Sequence, residues 1–343
     1  MPPITIRDVA NRLNLSITTV SRALDGYDDV AEETRQRVIA VAHEMGYTPN
    51  QAARQLRRKR TDTIGYILPT DKPRFADPFF AEFIAGLGDE AAAHNFDLLV
   101  SSTPPSTDVE RQAYQRWVHG HKIDGLVINR LRLHDWRVQY LSQAGFHFVT
   151  LGRSLDPFDY ASVEVDGRRW FKILVDHLVS LGYQQIAYIG STPDLKIQAD
   201  RFQGYLDGLQ SAGLAYNPTY IVESDLTAEG GYRAASALLS LPVPPTAITC
   251  VDDMTAIGVL HAARECGRIV GKDLAVTGFD GILGFEHTQP PLTTINQPVY
   301  QIARCLVSML MALITGNSLA EKRVNIEPKI EIHESTVGIT PHR

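Results

Sequence analysis

The chain has 343 residues, 44% of them hydrophobic and 21% charged, with 25 glycines and 19 prolines, which excludes collagen-like, disordered and disulfide-framework classes. No run approaches the ~20 apolar residues of a membrane span, and the first helical segment, from Thr5, is too charged for a secretory signal. Cys250, Cys266 and Cys305 have no metal or redox spacing, so the expectation is a cytoplasmic protein of two to three domains with reduced thiols and no membrane partner.

The net charge of −6 is unevenly spread: residues 1–60 hold ten Lys/Arg against seven Asp/Glu, and the rest of the chain is acidic. A locally basic end on an acidic protein is the charge pattern of a nucleic-acid-binding head. The densest patch, Arg54, Arg57, Arg58, Lys59 and Arg60, ends that segment.

Thr5 and Asp8 form a plausible capping pair. Ile6, Val9, Ala10 and Leu13 then recur at i, i+3, i+4 and i+7, the stripe of an amphipathic helix. Asn14 suits a left-handed turn, and Ser16 can cap a second helix that buries Val20, Ala23 and Leu24. A third helix over Glu32 to Met45 would complete the core with Val38, Val41, Ala42 and Met45. Two short helices, a tight turn and a basic balance suggest helix-turn-helix DNA binding; a generic three-helix bundle is the competing reading. Next, Tyr47-Thr48-Pro49-Asn50 stops the chain. The segment Gln51 to Leu56 places Ala52, Ala53 and Leu56 on one side with Arg54 and Arg57 beside them. Small residues, an apolar wedge and arginines suit a DNA minor groove, against a solvated linker as the alternative.

The motifs Ile4-Thr5-Ile6-Arg7-Asp8-Val9-Ala10, Ser16-Ile17-Thr18-Thr19-Val20-Ser21-Arg22-Ala23-Leu24, and Tyr47-Thr48-Pro49-Asn50 with Ala53-Arg54-Gln55-Leu56 closely resemble the lactose-repressor-type (LacI/GalR) family of bacterial transcription regulators. The resemblance implies that Ile17, Thr18 and Arg22 reach base edges from the recognition helix. It implies that Ser16, Thr19, Ser21 and Asn50 anchor phosphates, that Leu56 from each of two subunits wedges into the minor groove, and that Thr5, Ala53 and Arg54 are further DNA contacts. The residue chemistry agrees for Arg22, the natural reader of a guanine edge, and for Thr18, which can meet a thymine methyl. Ile17 also lies on a core-like stripe, so its role rests on the resemblance. Ala31 departs from the family, which usually has a hydroxyl cap before Glu32 and Glu33; Asp29 or those glutamates would have to compensate.

From Thr63, apolar runs alternate with helical stretches, the pattern of parallel sheets covered on both faces. Strand candidates are Ile64–Leu68, Leu98–Val100, Gly125–Ile128 and Phe148–Leu151, then Ile186–Ile189, Tyr220–Val222, Ala247–Cys250 and Ala275–Phe279. Helices are expected over Phe79–His94, Gly167–Leu181, Arg201–Ala212, Glu229–Leu239, Asp253–Glu265 and Pro298–Gly316, the last as core or dimer surface. Two series imply two lobes. The resemblance extends over essentially the whole chain. It implies a small all-α helix-turn-helix head (1–48), a hinge helix or linker (49–61), and a two-lobed α/β periplasmic-binding-protein-like body of two doubly wound parallel sheets (62–343). By the same resemblance the lobes are discontinuous, about 62–164 with 296–327 and about 165–295 with 328–343.

Gly86-Leu87-Gly88-Asp89-Glu90-Ala91 matches the dinucleotide fingerprint but falls inside a helix rather than at a strand–helix turn, so it reads as chance. No metal-ligand spacing, nucleophile elbow or phosphate loop occurs, so neither a catalytic site, a metal nor a cofactor is expected. Asp77-Pro78-Phe79-Phe80, Arg201, Asp252-Asp253 and Asp280 all lie at or after carboxyl ends of strands, where such sheets bind ligands. An aromatic face, an arginine fork and carboxylates suit a sugar. The resemblance implies that Phe79, Arg201, Asp252 and Asp280 line an effector pocket; Asn129 and Arg130, after the third strand, are further candidate contacts, Phe79 and Phe80 could stack on a purine, and Arg130, Arg153 and Arg201 could meet a sugar phosphate. Gly152-Arg153 lacks a carboxylate found in some galactoside-type members. A purine or a sugar phosphate is the alternative effector. The expected protein is a homodimeric repressor that binds double-stranded operator DNA under effector control; the competing class is a sugar-binding protein whose head docks a protein.

Overall fold

Thr5 and Asp8 open the first helix together: the Asp8 carboxylate accepts from the Thr5 backbone N–H at 2.8 Å and from its hydroxyl at 2.7 Å. In the computed structural model, which describes residues 4–48, 60–70 and 77–337, α1 (Ile6–Leu13) ends at Asn14 with φ 55°. That is the left-handed position asparagine tolerates at a helix end. Ser16 then caps α2 (Ile17–Leu24), its hydroxyl accepting from the Thr19 N–H at 3.0 Å. With α3 (Glu32–Glu44) the helices enclose Val9, Ala10, Val20, Ala23, Val30, Val38 and Ala42.

Ala31 does stand at the start of α3 without a side-chain cap. Asp29 does not compensate, because it is turned to Arg22. Glu32 instead pairs with Arg35 at 3.0 Å and accepts from Gln36 at 2.7 Å. The expected hinge helix falls mostly outside the described residues, as do the Asn50, Ala53, Arg54 and Leu56 contacts.

Compact units divide between Asp62 and Thr63. In the second unit, β1 (Thr63–Pro69) is buried along nearly its whole length, as a strand covered on both faces must be. It lies inside a six-stranded parallel sheet with β2 (Asp97–Thr103), β3 (Gly125–Ile128), β4 (Phe148–Leu151), β5 (Ala161–Glu164) and β11 (Arg323–Asn325), in the order β11-β5-β4-β3-β1-β2. The second lobe carries β6 (Ile186–Gly190), β7 (Ile221–Glu223), β8 (Ala247–Cys250) and β9 (Ala275–Thr277) as a parallel sheet ordered β7-β6-β8-β9. A short antiparallel pair, β10 (Thr294–Asn296) with β12 (Lys329–Glu331), was not expected from the sequence.

Helices flank both sheets. On the first lobe, α4 (Pro78–Ala93), α5 (Asp108–His119) and α6 (Trp136–Gln143) are joined by α11 (Val299–Thr315). The last buries Ile302, Leu306, Met309 and Leu310 in the first-lobe core. The second lobe has α7 (Gly167–Ser180), α8 (Lys196–Ser211), α9 (Ala228–Leu239) and α10 (Asp253–Glu265). The chain leaves the first sheet after Glu164, returns for α11 and β11, and leaves again into β12.

Gly86 explains the fingerprint-like run: it lies mid-helix in α4, and a Cβ there would meet the Tyr300 carbonyl at 2.5 Å. Its role is close helix packing. Strand β2 extends beyond the expected Leu98–Val100, β9 stops at Thr277 before the expected Phe279, and one helix boundary bears on the site. Helix α8 begins at Lys196, not Arg201, so Arg201 sits in the second turn rather than opening the helix.

Candidate functional site

The order of each sheet reverses once, between β1 and β3 in the first lobe and between β6 and β8 in the second. Crevices open at such reversals outside the carboxyl ends of strands. The loops leading to α4 and leaving β3 meet the first reversal, and those leading to α8 and α10 meet the second. Between them lies a cavity of about 130 Å³ whose wall includes Phe79, Asn129, Arg130, Arg153, Arg201, Asp252 and Asp280. Phe80 is absent from that wall. It is fully buried in the first-lobe core, with the Arg130 guanidinium over its ring at 4.6 Å, so it supports a lining residue instead of being one.

Arg201 is the most constrained group. It is buried, one terminal nitrogen donates to the Val251 carbonyl, the other to Asp280 Oδ1 at 3.1 Å, and its guanidinium lies 3.8 Å from the Phe279 ring centroid. It pairs with neither Asp200 nor Asp207, which are held by Lys196 and Arg168 respectively. Asp280 also accepts from Gln297 Nε2 at 2.6 Å. Its φ is 123°, a conformation that L side chains rarely adopt. Backbone bonds to Ile295 O at 2.9 Å and from Gln297 N at 3.0 Å hold it there, a strained position over-determined by its surroundings. Burial pushes the Asp280 carboxyl up to about 7; Arg201 opposes that shift, while Asp252, Asp253 and Asp77 add to it.

The two neighbouring aspartates divide their work. Asp252 caps α10 through Oδ1 to the Thr255 N–H at 2.8 Å and still faces the cavity. Asp253 is fully buried and accepts from Gly281 N, Ile282 N and Thr294 Oγ1, tying the Asp280 loop to α10. Asp77 caps α4 through Phe79 N at 3.1 Å and lies 3.7 Å from Arg130. Arg153 lines the cavity, yet its guanidinium already donates to the Tyr160 and Phe158 carbonyls.

The sequence did not single out Glu164, Lys196, Asp200, Phe279 or Gln297, all of which line the same space. Glu164 ends β5, Phe279 follows β9, Lys196 opens α8 and Gln297 lies just past β10, while Asp200 sits one turn into α8. The loops after β3 and β6 also clasp each other across the cleft. Leu133 N donates to Asp194 O at 2.7 Å, and Lys196 N donates to Leu131 O at 2.8 Å.

In the head, Ile17, Thr18 and Arg22 are exposed on α2, Ile17 at 43%, so Ile17 does not join the core stripe. Thr5, Ser16 and Thr19 are accessible at helix starts, with Ser16 Oγ and Thr19 Oγ1 2.8 Å apart. Ser21 is placed differently from these. It lies on the Val20 and Ala23 side, buried, with its hydroxyl 3.4 Å from Asp25 Oδ2. The Arg22 guanidinium packs 4.9 Å from the Tyr27 ring centroid and pairs with Asp29. Among the described residues, no helix is long and apolar enough to cross a membrane, and no group of three or more His, Cys, Asp or Glu could hold a metal ion.

Comparisons with known proteins cover both units. Residues 5–50 match the family "Bacterial regulatory proteins, lacI family", and residues 175–336 match "Periplasmic binding protein-like domain". The chain is 34% identical to the HTH-type transcriptional regulator AglR of Rhizobium meliloti (strain 1021), over 85% of this chain and 83% of that protein. It is 30% identical to the HTH-type transcriptional regulator CelR of Thermobifida fusca, over 96% and 98% of the two chains. Among solved structures, a CelR–cellobiose complex superposes with a TM-score of 0.75 at 29% identity, covering 97% of this chain and 99% of that one. The lac repressor dimer bound to operator and the anti-inducer ONPF gives 0.85 at 26% identity, over 98% and 100%. With its helix-turn-helix head and two-lobed body, this chain belongs to the LacI family of bacterial transcription regulators.

Proposed function

We propose that this chain is a homodimeric repressor whose hold on operator DNA is set by a neutral sugar bound between the lobes of its body. The observation that carries the sugar is the charge balance of the cleft. Arg130, Arg153, Lys196 and Arg201 face it, and so do Glu164, Asp200, Asp252 and Asp280. Balanced cations and carboxylates beside the apolar face of Phe79 suit hydroxyl groups and C–H faces. They do not favour a phosphate, which needs an excess of donors and cations. The CelR–cellobiose structure supports the same ligand class.

For DNA, the exposed trio Ile17, Thr18 and Arg22 would enter the major groove, while Thr5, Ser16 and Thr19 would fix the head on phosphates. Asn50, Ala53, Arg54 and Leu56 would add hinge contacts, with Leu56 as a minor-groove wedge. Two heads would read a pseudo-palindrome matching the two-fold axis of the dimer. Sugar and DNA are linked because each favours one pose of the lobes, and the linkage is limited by their differential affinity for the two poses.

The test is a duplex enriched from a random pool by the full-length protein, followed by fluorescence anisotropy with and without each of a panel of mono- and disaccharides. One sugar should change the duplex affinity at least tenfold, and Arg201→Ala should abolish that response while leaving sugar-free DNA binding intact. No enrichment over random duplex would overturn the regulator reading, and indifference to every sugar would overturn the effector reading.

A further inference from the structure

We propose that Arg137 is the positioning residue of the effector cleft: from beneath the wall it holds the loop between β3 and α6 in the shape that both lines the cavity and grips the second lobe. This rests on the effector reading above and deepens it.

Residues 129–133 carry two duties. Asn129, Arg130 and Leu131 form part of the cavity wall. Leu131 O and Leu133 N make the clasp with Lys196 N and Asp194 O, and Arg132 faces Leu195 as an antiparallel bridge. Between the wall and the clasp the chain turns at Arg130, whose φ of 47° lies in the left-handed region that non-glycine residues seldom occupy. Such a position persists only where its surroundings over-determine it. Here the restraint is Arg137, whose Nη2 donates to the Arg130 carbonyl at 3.0 Å and to the Asn129 carbonyl at 3.4 Å.

Arg137 is 1% exposed, and its carboxylate partners are buried as deeply. Nε donates to Asp135 Oδ1 at 2.9 Å and Nη2 to Asp135 Oδ2 at 2.6 Å, while Nη1 faces Glu110 Oε1 at 3.7 Å. The same two carboxylates hold Arg132 in the clasp. Asp135 Oδ2 accepts from the Arg132 backbone N–H at 3.0 Å, and Glu110 Oε2 accepts from Arg132 Nη2 at 3.0 Å. Two arginines thus share two carboxylates, and the four charges cancel. Burial opposes the charge on Asp135, but Arg137 and then Arg132 hold its carboxyl below the usual carboxylate range, so the cluster stays ionic. Apolar side chains of the same volume would stabilise the lobe about as well. They could not direct bonds at the Asn129 and Arg130 carbonyls and the Arg132 N–H. Without the Arg137 fork, Asp135 and Glu110 would both draw on Arg132, whose Nη1 already stands 4.0 Å from Asp135 Oδ1. Arg130 would be free to relax, and the clasp strand would shift against Leu195.

Hydrogen exchange of the ligand-free full-length protein, read residue by residue, tests this. Arg137→Lys keeps the charge but replaces the fork by one nitrogen, which cannot reach both carboxylates and both carbonyls together. The clasp amides of Leu133 and Lys196 should then exchange about tenfold faster, with Val127 in β3 and Ile189 in β6 within about threefold of the parent. Leu87→Ala is the control, a cavity in the first-lobe core; it should speed Val127 at least as much as Leu133. If Arg137→Lys does not fold, Glu110→Gln carries the same comparison, since it removes the charge facing both arginines and keeps an acceptor for Arg132. Any sugar that shifts duplex affinity in the panel above should bind the variant about tenfold more weakly, with sugar-free duplex affinity unchanged. Clasp amides unmoved, or moving only in step with the sheets as in Leu87→Ala, would overturn the positioning role. Unchanged sugar affinity beside a loosened clasp would overturn it as well. If no sugar in the panel acts, the sugar reading fails, and the exchange pattern still decides for or against Arg137.

Discussion

Arg201→Met should destabilise the body in a way that depends on pH, and the size follows from what the guanidinium touches. Removing one member of a buried ion pair costs ~3–5 kcal/mol, because the other charge is left without a partner. Asp280 can soften that cost by taking up a proton, since burial already pushes its carboxyl to about 7. Gln297 Nε2, 2.6 Å away, still donates to it. The lower end, about 3 kcal/mol at pH 7.5, is therefore expected. At ~2–4 °C per kcal/mol for units of ~150–250 residues, that is a fall of roughly 6–12 °C in Tm. An unfolded aspartate titrates near ~4, so between there and about 7 the folded state binds more protons than the unfolded one. Stability consequently falls as pH rises through that window. Loss of Arg201 raises the folded value further and steepens the fall, so the gap between parent and variant should be small at pH 5 and large at pH 7.5. Differential scanning calorimetry at both values checks it. Equal gaps at the two pH values, or less than ~2 °C at pH 7.5, would refute the reasoning that Arg201 exists to hold a charged Asp280.

Lys196 is the first residue of α8, and Leu195 before it has φ −78° and ψ 132°, a position and a neighbour that both accept proline. Lys196→Pro should remove the clasp bond to Leu131 O without breaking the helix; compared with Lys196→Ala, which loses only the Asp200 pair, it should weaken sugar binding about fivefold, the worth of one ~1 kcal/mol hydrogen bond, by calorimetry. Ala31→Ser should supply the missing cap of α3 and stabilise the head by ~0.5–2 kcal/mol, read as slower amide exchange at Val38 and Ala42. Asp29→Ala should leave head stability nearly unchanged, because an exposed pair contributes ~0–1 kcal/mol, yet strengthen duplex binding severalfold by freeing Arg22. Weaker or unchanged anisotropy titrations would remove Arg22 from the interface.

Much of the fold could be read from one period or the other. The stripe Ile6, Val9, Ala10, Leu13 packs into the head core, Val9 and Ala10 fully buried, and the fully apolar β3 is buried as its pattern requires. Helices α5 and α6 are not among the expected helices, and each carries buried charge that blurs an apolar stripe: the fold pairs Arg137 with Asp135 at 2.6 Å and sets it 3.7 Å from Glu110. Single strands at the crossovers were missed for a different reason. Segments of three residues, such as 294–296 and 329–331, are too short to show any period. At the site, residue type and strand-end position found Arg201 and Asp280, while Gln297 and Glu164 needed the third dimension. Ser21 and Phe80 went the other way, since motif position marked them and helical angle buried them.

The clasp across the cleft is made of backbone groups alone. Side chains around it can therefore drift to suit a new metabolite while the latch survives, because any residue but proline supplies the same N–H and C=O. Recognition and the latch are thus encoded separately, and a lineage could swap the molecule it senses without rebuilding the contact between its lobes.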